Sequence, residues 1–501
     1  MNAPQGIRKI PFAGNGDLLA VAAIALYCLS YFLLRMLAPS SMQLDEAEQF
    51  MRAFVPSLMA QGQPPLFTWL VQAASAVTGK TLFTIVFVKY VLLFIFYVCF
   101  YIIARQAWDW GESLLATGSL LLVGLFGYEF VRDLSHTILV CTVGTATCLS
   151  FVRVRRSGSA LSYVMFGALS GLGMLAKYNF SFLLLAVVVS GLSIGPWRKA
   201  LLSRKIFLSI AAFSLVSALD LHWLEAHGFQ PLQHAMSKSG AGASEAVSVF
   251  SFMQLIPRAF VDSFVFVLLF WLFYRGRLSL KAAQPQADLT SFFRRLAISG
   301  HAAVLGVIVV LRPEIVKGRW LAPVLFTLPL AMFTLVDAGR TVRRNTWLAR
   351  FALSIAIIVL LVRGVVSFAP DIGHAKRIHI PYERLSAALE EKLSRRGIGE
   401  TDALVVISDN LYVPAGVMRY VRLGKFIHFD YYRRFMDEQQ RKDALARGGL
   451  LLWDATVRGN AVPAFMRREF PGAEPLGIIN VPYLYSSRER FALGAALIGR
   501  H

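Results

Sequence analysis

Gln43-Leu44-Asp45-Glu46-Ala47-Glu48-Gln49-Phe50 stands between two long apolar runs. One starts near Leu18; the other follows Gly62-Gln63-Pro64-Pro65-Leu66. A run of about 20 apolar residues crosses a bilayer as a helix, so the octapeptide marks a place where the chain leaves a membrane. Three carboxylates within four positions add nothing to insertion or to lipid packing. They read either as part of a site or as a solvated helix start, because acids suit a first turn. On a helix Asp45 and Glu48 share a face, and Glu46 points about 100° away. Arg52 lies four residues after Glu48 and is placed to pair with it, which leaves Asp45 the freer carboxylate.

Composition supports the membrane reading. Of 501 residues, 56% are hydrophobic and only 16% are charged, against about 25% charged in a soluble domain. Mean hydropathy is +0.56. The net charge of +21 suits cytoplasmic loops that set orientation. Any surplus suits anionic lipid or a phosphate-bearing substrate. No basic soluble domain with interleaved aromatics stands out, so nucleic acid is not an expected partner. Cys28, Cys99, Cys141 and Cys148 all fall in apolar runs and read as buried thiols, with no disulfide or metal set. Arg8 and Lys9 precede the first run, which is long for a signal peptide and lacks a small-x-small exit; it reads as an uncleaved first span.

Eleven spans are predicted, at 18–37, 82–104, 113–127, 137–152, 161–176, 181–195, 206–219, 259–274, 296–311, 320–337 and 347–368. With that count the basic clusters, such as Arg153-Val154-Arg155-Arg156 and Arg340 to Arg344, fall on one face, the cytoplasm. The N-terminus is then cytoplasmic. The opposite, non-cytoplasmic face receives the loop 39–81 and everything after 368. Within that loop, 45–59 has the pattern of an amphipathic helix, Pro64-Pro65 breaks it, and 66–77 is a second helix. Both suit the interface plane. The chain thus reads as a mainly α, polytopic membrane helix bundle over 1–369, followed by a small soluble α/β domain over 370–501. In the tail, strands are expected at 403–407, 425–429 and 449–453, helices at 385–395, 413–421, 431–446 and 462–469, and a closing hairpin at 477–484 and 490–497.

The outer face collects ionisable residues that orientation does not explain. Tyr128-Glu129-Phe130-Val131-Arg132-Asp133-Leu134-Ser135-His136 is a dense polar stretch. It is either a capped loop or a second acidic wall, with Asp133 and His136 on one face as an acceptor-side or metal-side pair. Lys177-Tyr178-Asn179 puts a lysine at a span end, where it snorkels or meets an anionic head group. His222, His227 and His234 lack the spacing of a structural zinc site and read as loop residues. Arg312-Pro313-Glu314-Ile315-Val316-Lys317-Gly318-Arg319-Trp320 carries three cations against the charge rule, and these suit a phosphate or diphosphate. Acids for a hydroxyl nucleophile and cations for a phosphate leaving group point to group transfer from a lipid-linked phosphate. The competing class is a lipid-linked glycan transporter or flippase, which needs a polar path through the bilayer; mid-span charges are nearly absent.

Asp45-Glu46 followed by Gln63-Pro64-Pro65-Leu66 resembles the polyprenyl-phosphate-sugar glycosyltransferases of the GT-C fold, in particular the protein-mannosyltransferase-like and aminoarabinose-transferase-like enzymes. The resemblance extends in order through Arg132-Asp133-Leu134, Leu175-Ala176-Lys177-Tyr178, the stretch His222-Trp223-Leu224-Glu225-Ala226-His227-Gly228-Phe229, and Lys317-Gly318-Arg319-Trp320-Leu321-Ala322-Pro323. Gln63 stands where aminoarabinose-transferase-like members often carry a lysine. The resemblance implies an inverting transfer. Asp45 deprotonates or orients the acceptor hydroxyl, and Glu46 orients the acceptor or supports the loop. Lys177, Lys317 and Arg319 hold the donor phosphate. It further implies a sugar on an undecaprenyl-type phosphate as donor, and lipopolysaccharide core or lipid A as first acceptor. A uronic acid sugar suits the outer-face cations. No cofactor is required, though the acids can bind a divalent cation.

Overall fold

The computed structural model describes residues 14–54, 64–226, 249–279, 286–311, 313, 316, 318–336, 342–399, 401, 404–428 and 438–499. Arg8, Lys9, Gln63, His227, His234, Arg312 and Lys317 lie outside the described residues, as do 55–59 of the first amphipathic helix.

Among the described residues, six helices are long and apolar enough to cross a membrane: Asn15–Leu37, Leu82–Ala104, Ser135–Ser157, Leu255–Tyr274, Ala287–Leu311 and Arg343–Phe368. Two further pairs, Trp110–Leu122 with Leu125–Arg132 and Phe180–Leu192 with Gly195–Leu201, are bent by 86° and 118°, and the number rises to eight if each is one broken span. Ala160–Ala176, Ile206–Ala218 and Ala322–Phe333 are apolar but shorter. Each of the eleven predicted spans falls on one of these segments. Length and apolarity by themselves qualify only six to eight. The bends have local causes. Pro196 opens the helix after the second bend, with Ile194 extended before it. At the first bend Val123 is extended and a π-turn, Leu125–Glu129, follows.

The chain forms two compact units. One comprises Met1–Tyr31, Gly62–Phe67 and Lys89–Leu360; the other comprises Phe32–Gln61, Thr68–Val88 and Leu361–His501. In the first, the helix Ser135–Ser157 runs through the interior with most of its residues buried. Its hydroxyls bond back to their own helix, as in Thr145 to Cys141 O at 3.1 Å and Thr147 to Val143 O at 2.8 Å, so a polar helix is satisfied inside an apolar body. The short helices Ala160–Ala176 and Ile206–Ala226 meet backbone to backbone. A Cβ on Gly167 would overlap the Ser209 main chain, and Ser209 Oγ donates to Tyr163 O at 2.7 Å. Small residues permit that approach, and dispersion at close range stabilises it without a hydrophobic drive.

The second unit holds a five-stranded sheet: β1 Val405–Ser408, β2 Phe426–His428, β3 Gly449–Asp454, β4 Glu474–Pro482 and β5 Arg490–Ile498. Their order is β2-β1-β3-β5-β4. β1 is parallel to β2 and to β3, and β5 is antiparallel to β3 and β4. The helices Tyr412–Met418 and Glu438–Arg447 make the crossovers that parallel strands require. Among the described residues the expected tail elements all find counterparts, the hairpin as β4–β5; residues 403, 429 and 431–437 of those expected elements lie outside the described residues. Trp453 faces Gly494 across the β3–β5 ladder, and a Cβ at 494 would overlap the indole; glycine is what lets Trp453 lie in the core with Met466 and Phe470.

Candidate functional site

In the second unit the acidic octapeptide opens the helix Leu44–Phe54. Glu46 is 2% exposed and Arg35 6%. Arg35 donates through Nε to Glu46 Oε1 at 2.8 Å and through Nη2 to Oε2 at 2.6 Å. The same guanidinium donates to Pro39 O at 3.0 Å and Ser41 O at 2.9 Å, and the Gln43 N–H donates to Glu46 Oε2 at 2.8 Å. Glu46 is therefore a buried, bidentate clamp that fixes the exit from the first helix. Glu48 accepts from Arg52 Nε at 2.9 Å, the pair that the i, i+4 spacing predicts. Asp45 sits half-buried in the first turn of the same helix. The helix rests on its successor, Leu66–Thr78: Thr68 Oγ1 donates to the fully buried Gln49 Oε1 at 3.1 Å, and Gln72 Nε2 to Ala53 O at 3.2 Å.

In the first unit three segments converge at helix ends. Lys177 Nζ donates to Thr137 Oγ1 at 2.9 Å, one residue after His136. Asn179 Nδ2 donates to Trp320 O at 3.1 Å, with Arg319 O at 3.4 Å. The turns 177–179 and 318–320, each carrying a predicted phosphate-binding cation, are thereby tied to each other and to the start of the helix Ser135–Ser157. His136 is 4% exposed, and its ring packs on Phe67 with centroids 5.3 Å apart. Asp133 precedes Leu134, whose φ of 67° is left-handed. A leucine there costs about 1–2 kcal/mol, and such strain clusters at functional sites.

Two acids escaped the sequence reading. Asp262, in the helix Val249–Tyr274, accepts from the Gly124 N–H, and its carboxylate would lie 3.8 Å from a Cβ on Gly318. Asp220, 8% exposed, interacts electrostatically with Tyr178. Each looks like a lone charge inside an apolar run, and only the three-dimensional proximity to the 177–179 and 318–320 turns reveals it. The spans thus carry more ionisable groups beside these turns than their hydropathy suggests. Among the described residues, no group of three or more His, Cys, Asp or Glu gathers in a way that could hold a metal ion.

A family model described as dolichyl-phosphate-mannose-protein mannosyltransferase matches residues 62–223. The chain is 28% identical to the lipopolysaccharide core galacturonosyltransferase RgtB of Rhizobium johnstonii, over 96% of this chain and 97% of that one. It is 24% identical to the lipopolysaccharide core galacturonosyltransferase RgtA of the same organism, over 95% and 96%. The crystal structure of ArnT from Cupriavidus metallidurans bound to undecaprenyl phosphate superposes with a TM-score of 0.58 at 12% identity, covering 96% of this chain and 98% of that one. Its apo form gives 0.57 at 11% identity with the same coverage.

Proposed function

We propose that this chain, a membrane glycosyltransferase of the GT-C fold that uses a lipid-linked sugar, moves a uronic acid from a polyprenyl phosphate to the lipopolysaccharide core. Transfer takes place on the periplasmic face of the bacterial inner membrane, with the N-terminus in the cytoplasm and the tail domain in the periplasm. The observation that carries the donor side is the tie made by Asn179, which joins the Lys177 and Arg319 turns beside Thr137. Two cationic turns held together suit a single phosphate. The end-to-end likeness to two core galacturonosyltransferases supports the sugar and the acceptor class.

The reaction inverts the anomeric centre. An acceptor hydroxyl oxygen attacks C1 of the donor sugar, the bond from C1 to the phosphate oxygen breaks, and polyprenyl phosphate leaves. Asp45 takes the hydroxyl proton. Lys177, Lys317 and Arg319 offset the charge that grows on the leaving phosphate. Glu46, bound to Arg35, holds the Asp45 turn in place. Asp133 and His136 lie on the acceptor side. No step calls on a cofactor, and transfer is expected to survive chelation of divalent cations.

Purified full-length enzyme offered polyprenyl-phosphate donors and lipopolysaccharide acceptor tests this reading. Transfer of a uronic acid in preference to the matching neutral hexose is expected. Use of neutral-sugar donors alone would overturn the assignment. The transporter alternative predicts the reverse: a lipid-linked glycan crosses the bilayer and no glycosidic bond forms.

A further inference from the structure

A cavity of about 370 Å³ opens in the second unit where two candidate spans end. Its wall is divided chemically. Met36, at the close of the helix Asn15–Leu37, and Leu82 and Phe83, at the start of Leu82–Ala104, form the apolar part. Arg35, Ser40, Thr78, Thr81 and Arg419 form the polar part. Met36 and Phe83 are 37% and 39% exposed, so their apolar surface is not consumed by packing.

The charges are not balanced. Arg35 is neutralised by Glu46. Arg419, exposed at the end of the helix Tyr412–Met418, donates to Ser40 O at 2.5 Å, and no carboxylate lies within ion-pair distance of it among the described residues. That bond leaves most of the guanidinium N–H groups for another acceptor. A cavity with a greasy wall, an unneutralised arginine and a position at span ends suits an amphiphile with an anionic head. It does not suit a soluble anion, which would gain nothing from Met36, Leu82 and Phe83.

We infer that this cavity seats the acceptor glycolipid, with a phosphate of its head group on Arg419 and acyl chain against Phe83 and Met36. This rests on the proposed function for the identity of the acceptor. It adds a place for that acceptor. Arg35, which lines the cavity, also clamps Glu46, the immediate neighbour of Asp45. The lipid would therefore be delivered to the turn that carries the proposed base.

Native mass spectrometry of the full-length protein in detergent, with no donor present, tests the seat against three probes. These are a phosphorylated lipopolysaccharide-core glycolipid, the same glycolipid dephosphorylated, and phosphatidylglycerol. The wild type should retain the first. Dephosphorylation or Arg419→Glu should each weaken retention by about tenfold, the loss of a charge-assisted contact. Arg419→Lys should recover much of it, and Arg467→Glu, on the helix Ala464–Glu469 and not in the lining of this cavity, should behave as wild type. Retention unaffected by Arg419→Glu would overturn the proposal. So would phosphatidylglycerol held as tightly as the glycolipid, which would make the cavity a general phospholipid seat. Because binding is read without transfer, an enzyme that binds the glycolipid but moves no uronic acid would refute the proposed reaction and leave this seat standing.

Discussion

Asp45 and Glu46 are adjacent in sequence and physically opposite. Glu46 is buried with two guanidinium bonds and a backbone N–H on it; Asp45 is half-buried on the first turn of the helix. Two different failures are expected when they are changed. Asp45→Asn removes the proposed base and keeps the shape. It should lower kcat by about 100-fold or more while the thermal unfolding of the protein stays at the wild-type value. Glu46→Ala strands Arg35 without its partner. Breaking a buried pair costs about 3–5 kcal/mol, so this variant should unfold earlier and lose activity as a consequence. Parallel kinetics and thermal melts separate the two. Equal stability loss in both variants would contradict the division of roles. The sequence showed three acids at a membrane exit, and the i, i+4 spacing picked out the Glu48–Arg52 pair. Arg35 lies eleven residues before Glu46 on another helix, so no local periodicity links them.

At the scale of elements, the tail domain shows how much periodicity reveals. Alternation of short apolar strands with amphipathic helices located all five strands, because a half-parallel sheet writes its burial into the sequence. The order β2-β1-β3-β5-β4 was not legible, since strand pairing depends on contacts between distant residues. The membrane body was harder. Broken and short helices lack the 20-residue run that marks a span; a helix such as Ala160–Ala176 is recognised by the glycines that let Ile206–Ala226 approach it. One buried histidine gives the second unit a pH dependence. His379 is fully buried; its Nδ1 accepts from the Lys376 N–H at 2.8 Å, and Nε2 is 3.2 Å from Ser367 O, so Nε2 carries the proton. Desolvation holds its pKa below the usual 6.5. The unfolded chain takes up a proton near pH 6.5 and the folded one does not, so stability falls as pH drops below that value. Asp371, bonded by Ser486 and Ser487, and Glu489, bonded by His374, have lowered pKa values. Their contribution is lost at more acid pH, as pH falls from the ordinary carboxylate range toward their lowered values. Protection of the β1 and β3 amides, taken relative to the intrinsic exchange rate at each pH, should therefore fall between pH 6.5 and 5, and His379→Gln should flatten that slope. A slope unchanged by the substitution would refute the histidine as its source.

At the scale of the molecule, candidate site residues separated by up to 186 positions, from Asp133 to Arg319, belong to one unit, while Asp45 and Glu46 belong to the unit that holds the tail. The order of short motifs along the chain carried the fold and the reaction class. The partners of Lys177 and Asn179, and the acids Asp220 and Asp262, needed coordinates. Substrate identity is read from the product, the sugar found on the lipopolysaccharide core. Mass spectrometry of the lipopolysaccharide core from a strain deleted for this gene, complemented with either the wild type or Asp45→Asn, tests the central claim most directly. The account predicts that a hexuronic acid residue is missing from the core in the deletion strain, returns with the wild type and stays missing with Asp45→Asn. A core unchanged by deletion, or restored in full by Asp45→Asn, would contradict it.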